Sequence, residues 1–313
     1  MELEFTKMHG CGNDYIYVDG RKMTEILQNN GDKGKKKAEL VRRLSDRHFG
    51  VGGDGVIFIH PVPESMAGEL GEPVDFEMEM YNADGSRAEM CGNGIRCVAK
   101  YVYDKGWTDK RNISVVSCGK IKYLELYVEN GKVASVKVNM GEPVLKAADI
   151  PVISDREEVI GGELEVDGKT FKMTCVSMGN PHAVIFVEDG HILTGPDNEA
   201  GDAFGKDMVE GIGSLIEKHP RFPKKTNVEF VNVLDRKTVQ MRVWERGTGE
   251  TFACGTGACA TAVACILNGL TEDEVTVKLL GGELNIAWDR EKNVVFMTGP
   301  AETVFEGVTD TGK

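Results

Sequence analysis

No C-x-x-C pair occurs anywhere in this chain, and no apolar run is long enough to span a bilayer: the longest, ACATAVACIL, covers only 258–267, against the ~20 residues a spanning helix needs. The N-terminal MELEFTKMHG lacks the basic start and apolar core of a signal peptide. Basic residues are outnumbered, 37 Lys and Arg against 50 Asp and Glu, for a formal net charge of −13. That balance argues against a nucleic-acid partner, whose phosphates are held by clustered cations. No membrane partner is expected either, and the expected location is cytoplasmic. Eight cysteines there read as reduced thiols rather than a disulfide framework. Cys91/Cys97 and Cys254/Cys259 are separated by five and four residues without flanking histidines, so no metal site is supported. GVGGDG at 50–55 is not a dinucleotide fingerprint; it reads as a loop before a buried strand at 56–59.

What is present is alternation. DFEMEMY at 75–81 and VQMRVWE at 239–245 place apolar residues on one face and polar residues on the other, as half-buried strands do. YLELYVENGKVASVKV reads as a hairpin turning at Asn130-Gly131. LLGGELNIAW and VVFMTG add late strands. Helices are fewer: 38–45, a segment spaced by Met208, Ile212, Leu215 and Ile216, and two that matter more, 95–105 and 258–268. The last carries small or apolar residues on every side, as a helix enclosed by strands does. The 313 residues suggest about two domains, and 41% hydrophobic content supplies two cores. GDKGKKKAELVRR reads as a charge run on an exposed loop and helix, without function.

Both important helices follow a Cys-Gly-x-Gly corner, MCGNG at 90–94 and ACGTG at 253–257, with 163 positions between Cys91 and Cys254. Sliding one segment onto the other by that offset aligns strand, loop, corner and helix. CGNDYIYV at 11–18 is echoed by MGNPHAVI at 178–185, in the same order. The pattern predicts a duplicated unit, each half a sheet wrapped around one central helix, with a boundary near 141–151.

A helix start presents free N–H groups and the positive end of the helix dipole. A cysteine there has its thiolate favoured, and flanking glycines let backbone approach a ligand. The amides of Gly92, Asn93 and Gly94, and of Gly255, Thr256 and Gly257, are suited to a carboxylate. Two such corners suggest cysteines facing one another across a cleft. Inverting a carbon needs a base on one face and an acid on the other, and a thiolate and thiol exchange those roles. The remaining six cysteines read as core, apart from an ambiguous Cys11.

At these residues the chain resembles the diaminopimelate epimerase family, cofactor-independent amino-acid epimerases. The resemblance runs through MHGCGNDYIYVD at 8–19, YNADGSRAEMCGNGIRC at 81–97, SMGNPHAVIFV at 177–187, TNVEFV at 226–231 and ERGTGETFACGTGACA at 245–260. It implies an α/β (α+β) fold of two pseudo-symmetric halves, each a mainly antiparallel β-sheet around a central helix, with the site in the cleft between them. The halves would be 1–141 and 142–299, with 300–313 returning to the first. Implied too are a homodimer, no pyridoxal phosphate, metal or nucleotide, and conversion of LL- to meso-diaminopimelate for lysine or peptidoglycan precursors. By position, Cys91 and Cys254 become the acid/base pair, with His182 and Glu245 assisting. The amides of Gly92, Asn93, Gly255 and Thr256 would hold the reacting carboxylate. Asn82, Asn180, Asn227 and Arg246 would hold the far amino-acid head, and Asn13 the reacting amine. Gly55 stands where many relatives carry a polar residue such as Gln, which removes one amine contact.

Three other readings stay open. A histidine- or proline-type two-thiol racemase shares the chemistry, although proline-type enzymes carry His where this chain has Asn93 and lack ERGTGET. A binding protein would keep the fold without turnover, and a redox thiol protein would use the cysteines for cross-linking.

Overall fold

The computed structural model describes residues 2–23, 33–63, 65, 67–88, 90–187 and 207–311. Two compact units emerge: Met1–Val138 with Gly299–Lys313, and Asn139–Thr298. The final segment thus belongs with the first unit.

The first unit contains β1 (Glu2–Gly10), β2 (Asn13–Asp19), β3 (Gly55–Pro61), β4 (Phe76–Asn82), the two-residue β5 (Arg87–Ala88), β6 (Asn112–Ser117), β7 (Lys120–Glu129) and β8 (Lys132–Gly141). The second contains β9 (Gly162–Val166), β10 (Lys169–Ser177), β11 (Pro181–Phe186), β12 (Asn227–Asp235), β13 (Thr238–Glu245), β14 (Gly249–Thr251), β15 (Glu274–Leu279), β16 (Gly282–Asp289) and β17 (Val294–Pro300). The last strand, β18 (Glu302–Asp310), pairs antiparallel with β1.

One pairing scheme serves both units. In the first, β1–β2 is antiparallel, β2–β3 parallel, β3–β4 antiparallel and β4–β6 parallel, and β6, β7 and β8 form a meander. In the second, β10–β11 is antiparallel, β11–β12 parallel, β12–β13 antiparallel and β13–β15 parallel, and β15, β16 and β17 form the meander. β9 covers the outer edge of β10 as β18 covers that of β1. The two echoes in the sequence therefore mark a repeated topology.

Each unit wraps its sheet around one long helix. Helix α2 (Gly92–Asp104) packs against β1, β2 and β7; α3 (Gly255–Leu267) packs against β10, β11, β12, β15 and β16. Ala258–Ile266 of α3 is buried on every side, as its all-round apolar composition requires. On the opposite face of the first sheet, Leu40, Val41 and Leu44 of α1 (Lys33–Ser45) pack with Ile16, Val18, Val56 and Phe58. Period-2 alternation turns the intervening Tyr17 and Ile57 toward α2. The β7–β8 hairpin turns at Asn130 and Gly131, with φ of 49° and 76°, the positive pair an Asn-Gly turn supplies.

Three expectations need correction. Helix α1 starts at Lys33 rather than Ala38, and its Lys37 is buried on Glu79. Cys118 is exposed, not core, because with Gly119 it forms the β6–β7 turn at φ 45° and 75°. The helical segment spaced from Met208 runs as a π-turn over Asp207–Ile212 and a short helix Gly213–Glu217; the Met208 side chain lies outside the described residues.

Candidate active site

In the first unit Cys91 is the N-cap of α2, with φ −124° and ψ 120°. Its Sγ accepts from the Gly94 amide at 3.4 Å and donates to Asn13 Oδ1 at 3.2 Å. Asn13 is held by Asp54, whose Oδ2 accepts from Asn13 Nδ2 at 2.7 Å; Asp54 also pairs with Arg47 at 2.8 Å. Asn93 Nδ2 reaches the same Asn13 Oδ1 at 3.5 Å. From within α2, the fully buried Arg96 donates to Gly92 O and Asn93 Oδ1, both at 3.1 Å, and to Pro300 O at 3.0 Å. The corner is thus clamped to β2 on one side and to the returning C-terminal segment on the other.

Asn82 ends β4 opposite Gly55, exposed, with its Nδ2 donating to Ser86 Oγ at 3.1 Å. A Cβ on Gly55 would lie 2.0 Å from the Tyr81 carbonyl oxygen. The strands approach too closely there for any side chain.

In the second unit Cys254 caps α3 with φ −120° and ψ 111°, and its Sγ accepts from Gly257 N at 3.4 Å. Thr256 Oγ1 lies 3.5 Å from the same sulfur. His182 projects from β11 with Nε2 3.0 Å from Asn180 Oδ1 and Nδ1 2.6 Å from Glu229 Oε1. Asn227, level with His182 across the parallel β11–β12 ladder, donates to Pro181 O and accepts from the Arg246 amide, both at 2.9 Å. The Arg246 guanidinium is exposed and donates to Lys224 O at 3.1 Å. Glu245 Oε1 accepts from Thr251 Oγ1 at 2.5 Å.

The expected lowering of the corner thiol fails at Cys254. Burial pushes this thiol well above its ordinary range, and the Glu245 and Glu229 carboxylates push it further. The Thr256 hydroxyl and Gly257 amide favour the thiolate but do not offset them. A helix start lowers a cysteine only where desolvation and neighbouring anions are smaller. Glu245 is itself raised, chiefly by burial, against hydrogen bonds from Thr251 and Cys254 and the nearby His182. Cys254 therefore sits at neutral pH as a thiol beside a carboxyl group.

Within the first unit Asn13, Cys91, Gly92 and Asn93 come together, and Asn82 lies at the neighbouring strand end. Within the second, Asn180, His182 and Asn227 form one group, and Glu245, Cys254, Gly255 and Thr256 another, with the Arg246 backbone joined to Asn227. Sequence reasoning missed Glu229, Asp54, Arg96 and Thr251 as members of these groups. One signal was readable: Glu229 is a lone carboxylate inside the apolar strand TNVEFV.

The diaminopimelate epimerase family model matches residues 5–146 and 174–304. A diaminopimelate epimerase from Acetivibrio thermocellus is 52% identical over 308 residues, covering 98% of this chain and 99% of the relative. One from Methanococcus maripaludis is 50% identical, covering 98% and 100%. Among solved structures, a hydroxyproline epimerase from Agrobacterium vitis with bound trans-4-hydroxy-L-proline superimposes with TM-score 0.66 at 13% identity, covering 100% of this chain and 92% of that one. A phenazine biosynthesis protein of Bacillus anthracis gives 0.64 at 14%, covering 99% of each. At those identities the likeness speaks to the fold alone. The chain belongs to the diaminopimelate epimerase family.

Proposed function

We propose that this protein interconverts LL- and meso-diaminopimelate by moving one α-proton between Cys91 and Cys254, without a cofactor. We assign it to the cytoplasm as a homodimer, supplying lysine or peptidoglycan precursors. The observation that carries the mechanism is the pair of cysteine N-caps, one on the central helix of each repeated unit. A fold needs a cap at a helix start but has no reason to use cysteine twice, since Ser, Thr, Asp and Asn are the usual choices.

The reaction requires both thiols to reach one α-carbon from opposite faces. Cys254, held as a thiol, gives the proton in the first half-cycle, and Cys91, which must first release its own proton to become the thiolate, receives the one removed; the reverse direction exchanges the roles. The carbanion formed beside the substrate carboxylate is stabilised by the amides of Gly92, Asn93, Gly255 and Thr256 at the two helix starts. His182 and Glu245 assist proton transfer at the second corner. Asn13 takes the reacting amine. Asn82, Asn180, Asn227 and Arg246 take the far amino-acid head, with Arg246 forming a bidentate contact to its carboxylate.

The test is inversion by the purified, reduced protein without added cofactor, on LL-diaminopimelate beside proline, hydroxyproline, histidine, lysine and glutamate. Inversion of diaminopimelate alone is the expected result. Turnover of a different amino acid would overturn the substrate, and no turnover of any would leave a binding protein.

A further inference from the structure

The repeat supplies an internal control. In the parallel ladders, Tyr15 pairs with Gly55 in the first unit as His182 pairs with Asn227 in the second. Two residues further on, Ile57 and Glu229 occupy the same station. Both face the third residue of the central helix: a Cβ on Gly94 would meet Ile57 Cδ1 at 2.9 Å, and one on Gly257 would meet Glu229 Oε1 at 2.7 Å. The fold therefore accepts an aliphatic side chain at this station. In the second unit it carries a carboxylate.

Keeping a carboxylate there is costly, because its relative exposure, like that of His182, is 0%. Oε1 lies 2.6 Å from His182 Nδ1, while Oε2 has no hydrogen-bond partner among the described residues. The same hypothetical Gly257 Cβ would lie 3.3 Å from Cys254 Sγ, so the carboxylate and the thiol flank one glycine. The titratable groups that bear on Cys254 are Glu245 from β13 and Glu229 from β12; those on Glu229 are His182 from β11, Cys175 from β10, Glu245 from β13 and Cys254 itself.

We propose that Glu229 is a positioning residue of the second corner: its carboxylate accepts from His182 Nδ1–H, fixing the ring and its tautomer, and holds negative charge beside the Cys254 proton. The inference rests on the reading of Cys254 and His182 as working groups. The carboxylate touches no substrate and acts through these two side chains. A buried anion makes the Cys254 thiolate a stronger base and keeps the resting sulfur protonated. Gly257 is what lets the carboxylate stand this close.

The test is Glu229→Gln, which preserves size and removes the charge, with Glu229→Asp as the conservative variant. In the folded Gln variant kcat is expected to fall at least about tenfold, with KM within about twofold. The alkaline limb of the kcat profile should move to lower pH, because Cys254 loses its neighbouring anion. The Asp variant should restore part of kcat and the original limb. An unmoved profile, whatever happens to kcat, would reduce Glu229 to packing and overturn the proposal.

A second measurement needs neither turnover nor a variant at Glu229. In wild-type protein labelled with 15N-histidine, the His182 signals, identified by their loss in His182→Gln, should report a protonated, hydrogen-bonded Nδ1. An unprotonated Nδ1 would contradict the hold, even if the Gln variant failed to fold. Absence of diaminopimelate turnover in wild type would overturn the functional reading separately, with the tautomer still measurable.

Discussion

Cys91 and Cys254 cap their helices in the same way: φ/ψ of −124°/120° and −120°/111°, with Sγ 3.4 Å from the amide three residues on in both. Their surroundings differ. Cys91 meets a neutral amide, Asn13, with the buried cation Arg96 one turn along its helix. Cys254 meets two carboxylates, Glu245 and Glu229, the second of them bonded to His182. A duplicated backbone thus carries two unlike electrostatic settings, which suits a reaction that begins with one thiol as donor and the other as acceptor.

The two helix-start glycines test how tightly each corner is built. An alanine at either position gains up to about 1 kcal/mol of helix propensity, so propensity alone favours the change. At Gly94 the new methyl meets the movable end of Ile57, at 2.9 Å. At Gly257 it meets the Glu229 carboxylate at 2.7 Å and Cys254 Sγ at 3.3 Å. Gly257→Ala should lower kcat at least about tenfold and Gly94→Ala much less, with melting temperatures recorded on the same samples. Equal losses would mean that the second corner is no more demanding than the first.

Arg96 ties the first turn of its own helix, at Gly92 O and Asn93 Oδ1, to Pro300 O of the returning segment. Lysine keeps the charge but cannot form the fork. Arg96→Lys should lose about 2 kcal/mol of unfolding free energy, read from urea melts. No loss would show that the clamp contributes nothing to holding the C-terminal segment.

Glu79 gives a pH dependence unrelated to catalysis. Burial alone would raise its carboxyl, but hydrogen bonds from His60, Lys37 and Tyr81 and the Lys37 charge bring it down to about 2. A carboxyl lowered by folding stabilises the native state above its ordinary value near 4.5, and that contribution disappears as the pH falls toward 2. Wild type should therefore lose more stability than Glu79→Gln between pH 6 and 3 (about, as working limits for the two melts). By the acid end of that range the difference should reach at most about 2 kcal/mol. Parallel loss in both proteins would contradict this.

Much of the architecture was legible because alternation and helical spacing are written in side chains. Phe76, Met78 and Met80 mark β4, and the enclosed helix at 258–268 is apolar all round. Helix starts were placed late, at 95 and 258 instead of Gly92 and Gly255, because Gly-x-Gly carries no apolar period; the turn there is secured by the cysteine cap. Lys33–Lys37 hid the first turn of α1 in the same way, since periodicity does not register that Lys37 reaches a buried glutamate. The turn at Cys118-Gly119 escaped notice because cysteine is not a residue expected at positive φ.

At the candidate site, residue identity was legible and electrostatics were not. Position in the motifs drew attention to Cys91, Cys254, His182 and Glu245. The proton affinity of Cys254 depends instead on how deeply it is buried and on how close the fold brings the carboxylates of Glu245 and Glu229. No local pattern carries that information.

The central claim is that two different cysteines handle the outgoing and incoming protons. The most direct measurement follows LL-diaminopimelate in deuterated water at early times, with wild type, Cys91→Ala and Cys254→Ala. If the account is right, the meso product carries solvent deuterium at its inverted carbon while unreacted substrate keeps its protium, and both variants fail to invert it. Product that retains the substrate's own proton, or inversion by either single variant, would mean one base serves both faces and would contradict the two-thiol mechanism.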